Sequence, residues 1–360
     1  MSRVEERKAK KAANKKRKPW KWAGYSVGLI LLVIIGFFGY QAYGVVEGLD
    51  GLSDNGSKIP TQQFEEDETL KPEEWEGTER VNILLMGGDN RGLDENDQAR
   101  SDSMLVASVD PVTKKAHIFS VLRDTYVPIE GHGEGRINTA MALGGPNLAM
   151  KTIGDLLGLN IQYYVYTDFE GFKSLVDAIG GIQNFEVEKN MNYVDNADGN
   201  RYDIHLKKGV QDLDGEHALM YVRFRHDAMS DFTRTERQRK LLSAVADKMK
   251  SGWTIFKMKD VLESVSPYIK TNLELSDMFK LAQLGLGTSI AGQAQVPPMD
   301  LIGDRKVSGA SVLSVRDEDA LLQFVQDELA KDVNAPAVTE TDGTTGTDGT
   351  TTNTESTTSE

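Results

Sequence analysis

Residues Ala23 to Tyr43, AGYSVGLILLVIIGFFGYQAY, carry no charged side chain, and this run constrains the chain more than any other stretch. At about 1.5 Å per residue, a helix of that length reaches roughly 30 Å, the thickness of a bilayer's hydrocarbon core. The preceding flank holds Arg3, Arg7, Lys8, Lys10, Lys11, Lys15, Lys16, Arg17, Lys18 and Lys21 against only Glu5 and Glu6. A cleaved leader has a shorter apolar core and a small-x-small site, which Ala42-Tyr43-Gly44 matches only loosely. The expectation is therefore an uncleaved, single-pass N-terminal transmembrane helix over 23–43 in the cell membrane. By the positive-inside rule the basic tail, 1–22, is cytoplasmic and Glu47 onward is extracellular. Trp20 and Trp22 at one boundary, and Tyr40 and Tyr43 at the other, suit the two interfaces. Nucleic-acid binding is the alternative reading of the tail.

The chain as a whole is acidic, with a formal net charge of −14, which disfavours broad contact with DNA. With no cysteine, disulfides, thiolate metal sites and cysteine nucleophiles are excluded. Residues 44–79, rich in Gly, Asp, Glu, Ser and Pro, read as an extracellular stalk. Residues 332–360, ending in TETDGTTGTDGTTTNTESTTSE, have too little apolar surface to offset ordering entropy and read as a disordered tail. Between them, residues 80–331 suffice for one catalytic domain with a large core.

Within that domain VNILLM (81–86) is an apolar run ending in Gly87-Gly88-Asp89, a buried strand that delivers a loop to a sheet edge. SMLVASVD (103–110) and KAHIFSVLRD (115–124) read as a hairpin across Asp110-Pro111. With the first and third strands parallel around an antiparallel second, Asp89, Asp102, Arg123 and Asp124 gather at one edge. Residues 136–157 read as a helix broken at Gly144-Gly145 and restarted by Pro146, and 169–179 as a helix stopped by Gly180-Gly181. RYDIHLKKG reads as a hairpin. Later helices are expected over 214–223, 234–251, 275–284 and 317–330, with strands near 294–299 and 311–315. Strands interleaved with helices predict an α/β fold, a mixed central β-sheet covered by helices on both faces.

The stretch YVRFRHDAMSDFTRTERQRK (221–240) packs Arg223, Arg225, Arg234, Arg237 and Arg239 into twenty residues of this acidic chain. Thr233 and Glu236 read as a capping box that starts a helix at Arg234, with Arg234, Arg237 and Gln238 on one face. Guanidinium groups near unpaired N–H groups would hold a phosphate oxygen; a solvated, salt-bridged helix face is the alternative. Two carboxylates, Asp89 and Asp102, near several arginines suit magnesium and a diphosphate, since magnesium takes one or two carboxylates plus phosphate oxygens. Turn, cap or ion-pair roles for the aspartates, an Arg123–Asp124 ion pair and a solvated Arg136 stand as alternatives. Gly-rich phosphate loops, His-Glu-x-x-His and Gly-x-Ser-x-Gly are absent, and the five histidines show no ligand spacing. His226 reads as a hydrogen-bonding residue. Asp227 and Asp231 read as orienting the arginines or accepting a proton.

In order, GGDNR (87–91), RSDSM (100–104), SVLRDTYV (120–127), RINTA (136–140), YYVYTDFEGFKSLVDAIGGI (163–182) and YVRFRHD with DFTRTERQ (221–238) resemble the LytR-CpsA-Psr family over about Arg80 to Ala330. The resemblance implies a transferase of the Gram-positive cell surface. It would move an anionic glycopolymer, of the wall teichoic acid or capsular polysaccharide type, from undecaprenyl diphosphate to a peptidoglycan muramic acid hydroxyl. It also implies that Asp89 and Asp102 hold Mg2+, with Mn2+ the alternative, and that Arg100, Arg123, Arg223, Arg225, Arg234 and Gln238 hold the diphosphate. Arg91 and Arg237 would be its neighbours, Arg136, where many members have lysine, would also bind it, and Asp89, Asp102, Arg123 and Arg225 would act in catalysis. A prenyl pocket would be lined by helices between Ile137 and Ile179. The acidic loop after Asp89, with LDEN, departs from the family pattern. A lipid diphosphate hydrolase and a non-catalytic sensor of lipid-linked diphosphates are the competing readings.

Overall fold

The computed structural model describes residues 44–48, 68–88, 101–194, 202–225 and 230–334. The transmembrane run 23–43, the basic tail, Asp89, Arg91, Arg100, His226, Asp227 and residues 335–360 lie outside the described residues, as does the Asp231 side chain. Among the described residues no helix is long and apolar enough to cross a membrane.

In chain order the elements begin with helical residues 44–48 (α1), β1 (Val81–Gly88), β2 (Ser101–Asp110), β3 (Lys115–Val121), β4 (Tyr126–Ile129) and β5 (Gly133–Arg136). They continue with α2 (Ala140–Leu157), β6 (Tyr163–Thr167), α3 (Phe169–Ala178), β7 (Ile182–Val187), β8 (Met191–Tyr193), β9 (Ile204–Leu206) and β10 (Gly209–Leu213). After these come α4 (Gly215–Arg223), α5 (Ser230–Met249), α6 (Gly252–Phe256), α7 (Met258–Val265), β11 (Ile269–Thr271) and α8 (Leu275–Gly287). The last are β12 (Ser289–Val296), β13 (Ile302–Val307), β14 (Ala310–Val315) and α9 (Glu318–Asn334).

The central sheet has the order β11-β6-β1-β2-β3-β12. β1 pairs antiparallel with β2 and β2 with β3, while β6 joins β1 and β12 joins β3 in parallel, so the sheet is mixed as expected. Strand alternation assigns the two faces. Leu84, Met86, Met104, Val106, Phe119 and Val121 enter a core shared with α2 and α9. Leu85, Leu105 and Val165 face the other way, toward α3, α4 and α5. The α2 kink falls where expected, because Gly144 and Gly145 leave helical geometry just before Pro146.

Four expectations change. RYDIHLKKG is not one hairpin: β9 pairs with β8, and β10 pairs with β7. Leu206 and Leu213 enter the core of α3, α4 and α5 through those partners, a long-range choice invisible in a local pattern. α5 begins at Ser230 rather than Arg234. Thr233 is inside the helix, and Arg234 is past the first turn that would offer free N–H groups. The stalk boundary also moves, because Trp75 is 4% exposed and packs with Val81 and Tyr163. Finally, Asp332 belongs to α9 and not to a tail, since His117 Nε2 lies 2.6 Å from its Oδ1 and Arg80 binds its other oxygen.

Candidate active site

β1 ends in an irregularity between Gly87 and Gly88, which re-aims the chain at the sheet edge. A side chain at Gly88 would displace Tyr166, because an added Cβ would lie 1.9 Å from its Oη. Asp102, opposite this edge in β2, accepts a hydrogen bond from Arg123 at 2.7 Å, and its side chain is 36% exposed. Asp124 lies 3.5 Å from Arg123 Nε and accepts from Arg136 at 2.9 Å. Of the expected charged edge, Asp102, Arg123 and Asp124 form one linked series that extends to Arg136, while Asp89 lies outside the described residues.

Beside it opens a cavity of about 630 Å3. Asp102, Arg223, Arg225, Arg234 and Gln238 line its polar part. Its apolar part includes Leu85 and Val165 from the sheet, Phe172 and Leu175 from α3, and Leu241 and Val245 from α5. In α5 the lining positions 234, 238, 241, 242 and 245 follow helical spacing and form one stripe. Arg234 is only 3% exposed, so its charge works in a low-dielectric wall rather than in open water.

Arg223, at the end of α4, is held on three sides. Its guanidinium lies 4.9 Å from the Phe169 ring centroid and 5.2 Å from that of Tyr202, and it donates to the Tyr202 carbonyl at 2.9 Å. Tyr202 Oη in turn donates to Glu170 at 2.9 Å, which also pairs with Lys173. Stacking and hydrogen bonding restrict the guanidinium before any anion arrives. Sequence reasoning missed Tyr202 altogether and read Phe169 only as a helix start. Tyr202 sits in an irregular segment whose pattern carries no signal of its partner 21 residues away.

Arg237 corrects an expectation. Turned off the cavity stripe, it donates from Nε to Glu188 at 2.6 Å and from its terminal nitrogen to the Phe224 carbonyl at 2.9 Å. It packs over Phe224 and is absent from the cavity lining. Arg123 and Arg136 are likewise outside the lining, Arg123 at its border on the lining residue Asp102 and Arg136 committed to Asp124. α2 does not line the cavity either; it is buried on the opposite face of the sheet, and of the 137–179 helices only α3 contributes.

Burial pushes the Glu188 carboxyl upward, but hydrogen bonds from Arg237, its own backbone N–H and Tyr221, with the Arg237 charge, outweigh this and hold it below the usual carboxylate range. A depressed carboxyl contributes stability above its unfolded value of about 4.3 and loses it as pH falls through the folded one. Arg237→Ala is expected to cost about 2 kcal/mol, moderated by the 42% exposure of Glu188. In thermal melts the gap to the native chain is expected to be wide at neutral pH and to close in acid. A gap independent of pH would show that Glu188 is not the partner that matters.

The fold and site define a mixed α/β domain with a cationic mouth over an apolar cavity. The chain belongs to the LytR_cpsA_psr family, whose family model matches residues 49–329. Regulatory protein MsrR of Staphylococcus aureus (strain COL) is 36% identical over 219 residues, 60% of this chain; the chain spans 63% of that relative's length. The polyisoprenyl-teichoic acid--peptidoglycan teichoic acid transferase TagU of Bacillus mycoides is 34% identical over 257 residues, 71% of this chain and 80% of its own. Among solved structures, the family protein YwtF (TagT) of Bacillus subtilis with bound octaprenyl pyrophosphate lipid is 26% identical. Its TM-score is 0.52, with 76% of this chain and 99% of that one covered.

Proposed function

We propose that this chain is a membrane-anchored phosphotransferase. It moves an anionic glycopolymer of the teichoic acid or capsular polysaccharide type from undecaprenyl diphosphate to a muramic acid hydroxyl of peptidoglycan. One observation carries the reading: a single cavity joins Arg223, Arg225, Arg234 and Gln238 to an apolar pocket lined from β1, β6, α3 and α5. That pairing suits a diphosphate with a long prenyl tail. The transferase name of the TagU relative and the lipid bound in YwtF support it.

In the reaction the acceptor hydroxyl forms a bond to the sugar-side phosphorus and gives up its proton to a carboxylate base or to solvent. The bond from that phosphorus to the bridging oxygen breaks, and undecaprenyl phosphate leaves with the negative charge. Arg123, Arg225 and Arg234 would meet charge growing on the phosphoryl oxygens, and Arg223, already clamped, would orient the head group. Arg91 and Arg100 are assigned to the same task from their motifs. Asp102 fits a metal role: it stands at the cavity edge beside a guanidinium, and magnesium asks of a protein only one or two carboxylates. Asp102 with Asp89 would hold Mg2+ or Mn2+, which supplies further neutralisation of phosphate charge when bound.

The decisive experiment incubates the full chain with lipid-linked polymer precursor, peptidoglycan fragments and magnesium, followed by mass analysis of the acceptor. Covalent polymer on the fragment is expected. Free polymer without acceptor product would make water the nucleophile, and an unchanged donor would leave only the regulatory reading that the MsrR name suggests. Asp102→Asn is expected to flatten the magnesium dependence of transfer. A variant that still titrates like the native chain would remove Asp102 from the metal site.

A further inference from the structure

α5 and β12 run side by side in opposite directions. Thr235 lies 3.4 Å from Gln295, Gln293 donates to Ser243 at 2.7 Å, and Lys250 donates to the Thr288 carbonyl. The Arg234 end of α5 is thus separated from its Lys250 end by the length of β12, roughly 26 Å for an eight-residue strand. At the far end three apolar side chains stand in solvent. Val112, in the β2–β3 turn, is 81% exposed, Leu286 61% and Trp253 50%. Lysines surround them. Lys257 Nζ lies 4.5 Å and Lys248 Nζ 5.9 Å from the Trp253 ring centroid. The Lys114 side chain runs along Gly287, where an added Cβ would meet its Cδ at 3.3 Å.

The local charge is opposite to that of the whole. Residues 248–259, KMKSGWTIFKMK, hold four lysines and no acid in a chain of net charge −14, with Asp247 and Asp260 at the borders. The chain also arrives here: residues 44–48, directly after the apolar run 23–43, rest on α7. A Cβ added at Gly44 would overlap the Lys259 side chain, and one at Gly48 would lie 2.8 Å from Leu262 Cβ.

We propose that this end of the domain, with Val112, Lys114, Lys250, Trp253, Lys257 and Leu286, is a docking surface for an anionic phospholipid bilayer. The apolar side chains enter the interface, Trp253 at headgroup depth, while the lysines reach lipid phosphates. The inference rests on reading 23–43 as an anchor and adds an orientation to it. The apolar end of the cavity, at Leu175 and Val245, faces the leaflet that supplies the prenyl chain, and the arginines stand at the opposite end, toward the wall.

Because the chain has no cysteine, single-cysteine nitroxide labels test this on the full chain in vesicles. Gly252→Cys suits the purpose, since a Cβ there meets nothing within 4 Å; Leu286→Cys probes the neighbouring apolar position, and Met299→Cys beyond the other end of β12 is the reference. In vesicles of equimolar phosphatidylglycerol and phosphatidylcholine, collisions with a water-soluble nickel complex are expected to fall about fivefold at Gly252 and Leu286 relative to phosphatidylcholine alone. Met299 stays unchanged, and the K250Q/K257Q pair abolishes the difference. Gly28→Cys reports the anchor separately. A buried label at Gly28 with Gly252 and Leu286 as open to nickel as Met299 overturns the docking surface and keeps the anchor. Water-exposed labels at all four positions overturn both. Dipolar broadening between Gly252 labels would reveal a second copy of the chain on this face, which also overturns the proposal.

Discussion

Arg234→Ala is expected to lower glycopolymer transfer by about 10²- to 10³-fold, the range found when one preorganised charge-stabilising donor is removed. Three features set that size. The residue lines the cavity, it is 3% exposed, and its helix is fixed along β12 by the contacts of Thr235 and Ser243. A charge held this way needs no reorganisation as the phosphoryl oxygens gain charge. The loss should fall on kcat more than on KM, because Arg223, Arg225 and Gln238 still bind the ground state. Circular dichroism and melting should stay near those of the native chain, in contrast to Arg237→Ala. Turnover at the native rate in a folded Arg234→Ala chain would remove the arginine cluster from the chemistry.

Leu175→Trp should separate head-group from tail recognition. Leu175 faces the apolar part of the cavity from α3, so an indole there occupies volume assigned to the prenyl chain. Each buried CH2 contributes about 0.8 kcal/mol, so excluding one five-carbon unit removes up to about 4 kcal/mol, of order 10²- to 10³-fold in affinity. The expected outcome is loss of transfer from a full-length undecaprenyl donor with retention from a donor carrying a short prenyl group. Parallel assays with the two donors decide it. Equal loss on both would mean that the substitution has damaged the head-group site, and equal retention would place the tail elsewhere.

These two expectations rest on different kinds of legibility. The sequence order of strand, glycine pair, acidic loop and strand already implied a charged sheet edge, and Asp102, Arg123 and Asp124 do meet there. The helix over 169–179 and its stop at Gly180-Gly181 were legible; its cap, Asp168, which accepts from the Gly171 N–H at 2.9 Å, came from the structure. What the helix faces came from the structure too. No local pattern says which side of the sheet α2 and α3 take, yet one helix is core behind the sheet and the other lines the cavity. The arginine helix shows the same division: Arg234 and Arg237 lie three residues apart, and only the first reaches the cavity.

Read alone, the chain determined the features that arise within a few residues: the uncharged run, the apolar strand segments, the glycine kink of α2, the Gly180-Gly181 stop of α3, and the family motifs. Backbone geometry and hydrogen-bond chemistry act at that range, so a local pattern suffices. The tertiary structure decided which charges are stored and which are presented. Arg237 is held by Glu188, 49 residues distant in sequence, and Arg223 is clamped by Tyr202 from a separate segment. Only packing α3, α4 and α5 against one face of the sheet creates a shared volume, because a cavity is a property of facing surfaces and not of any one of them.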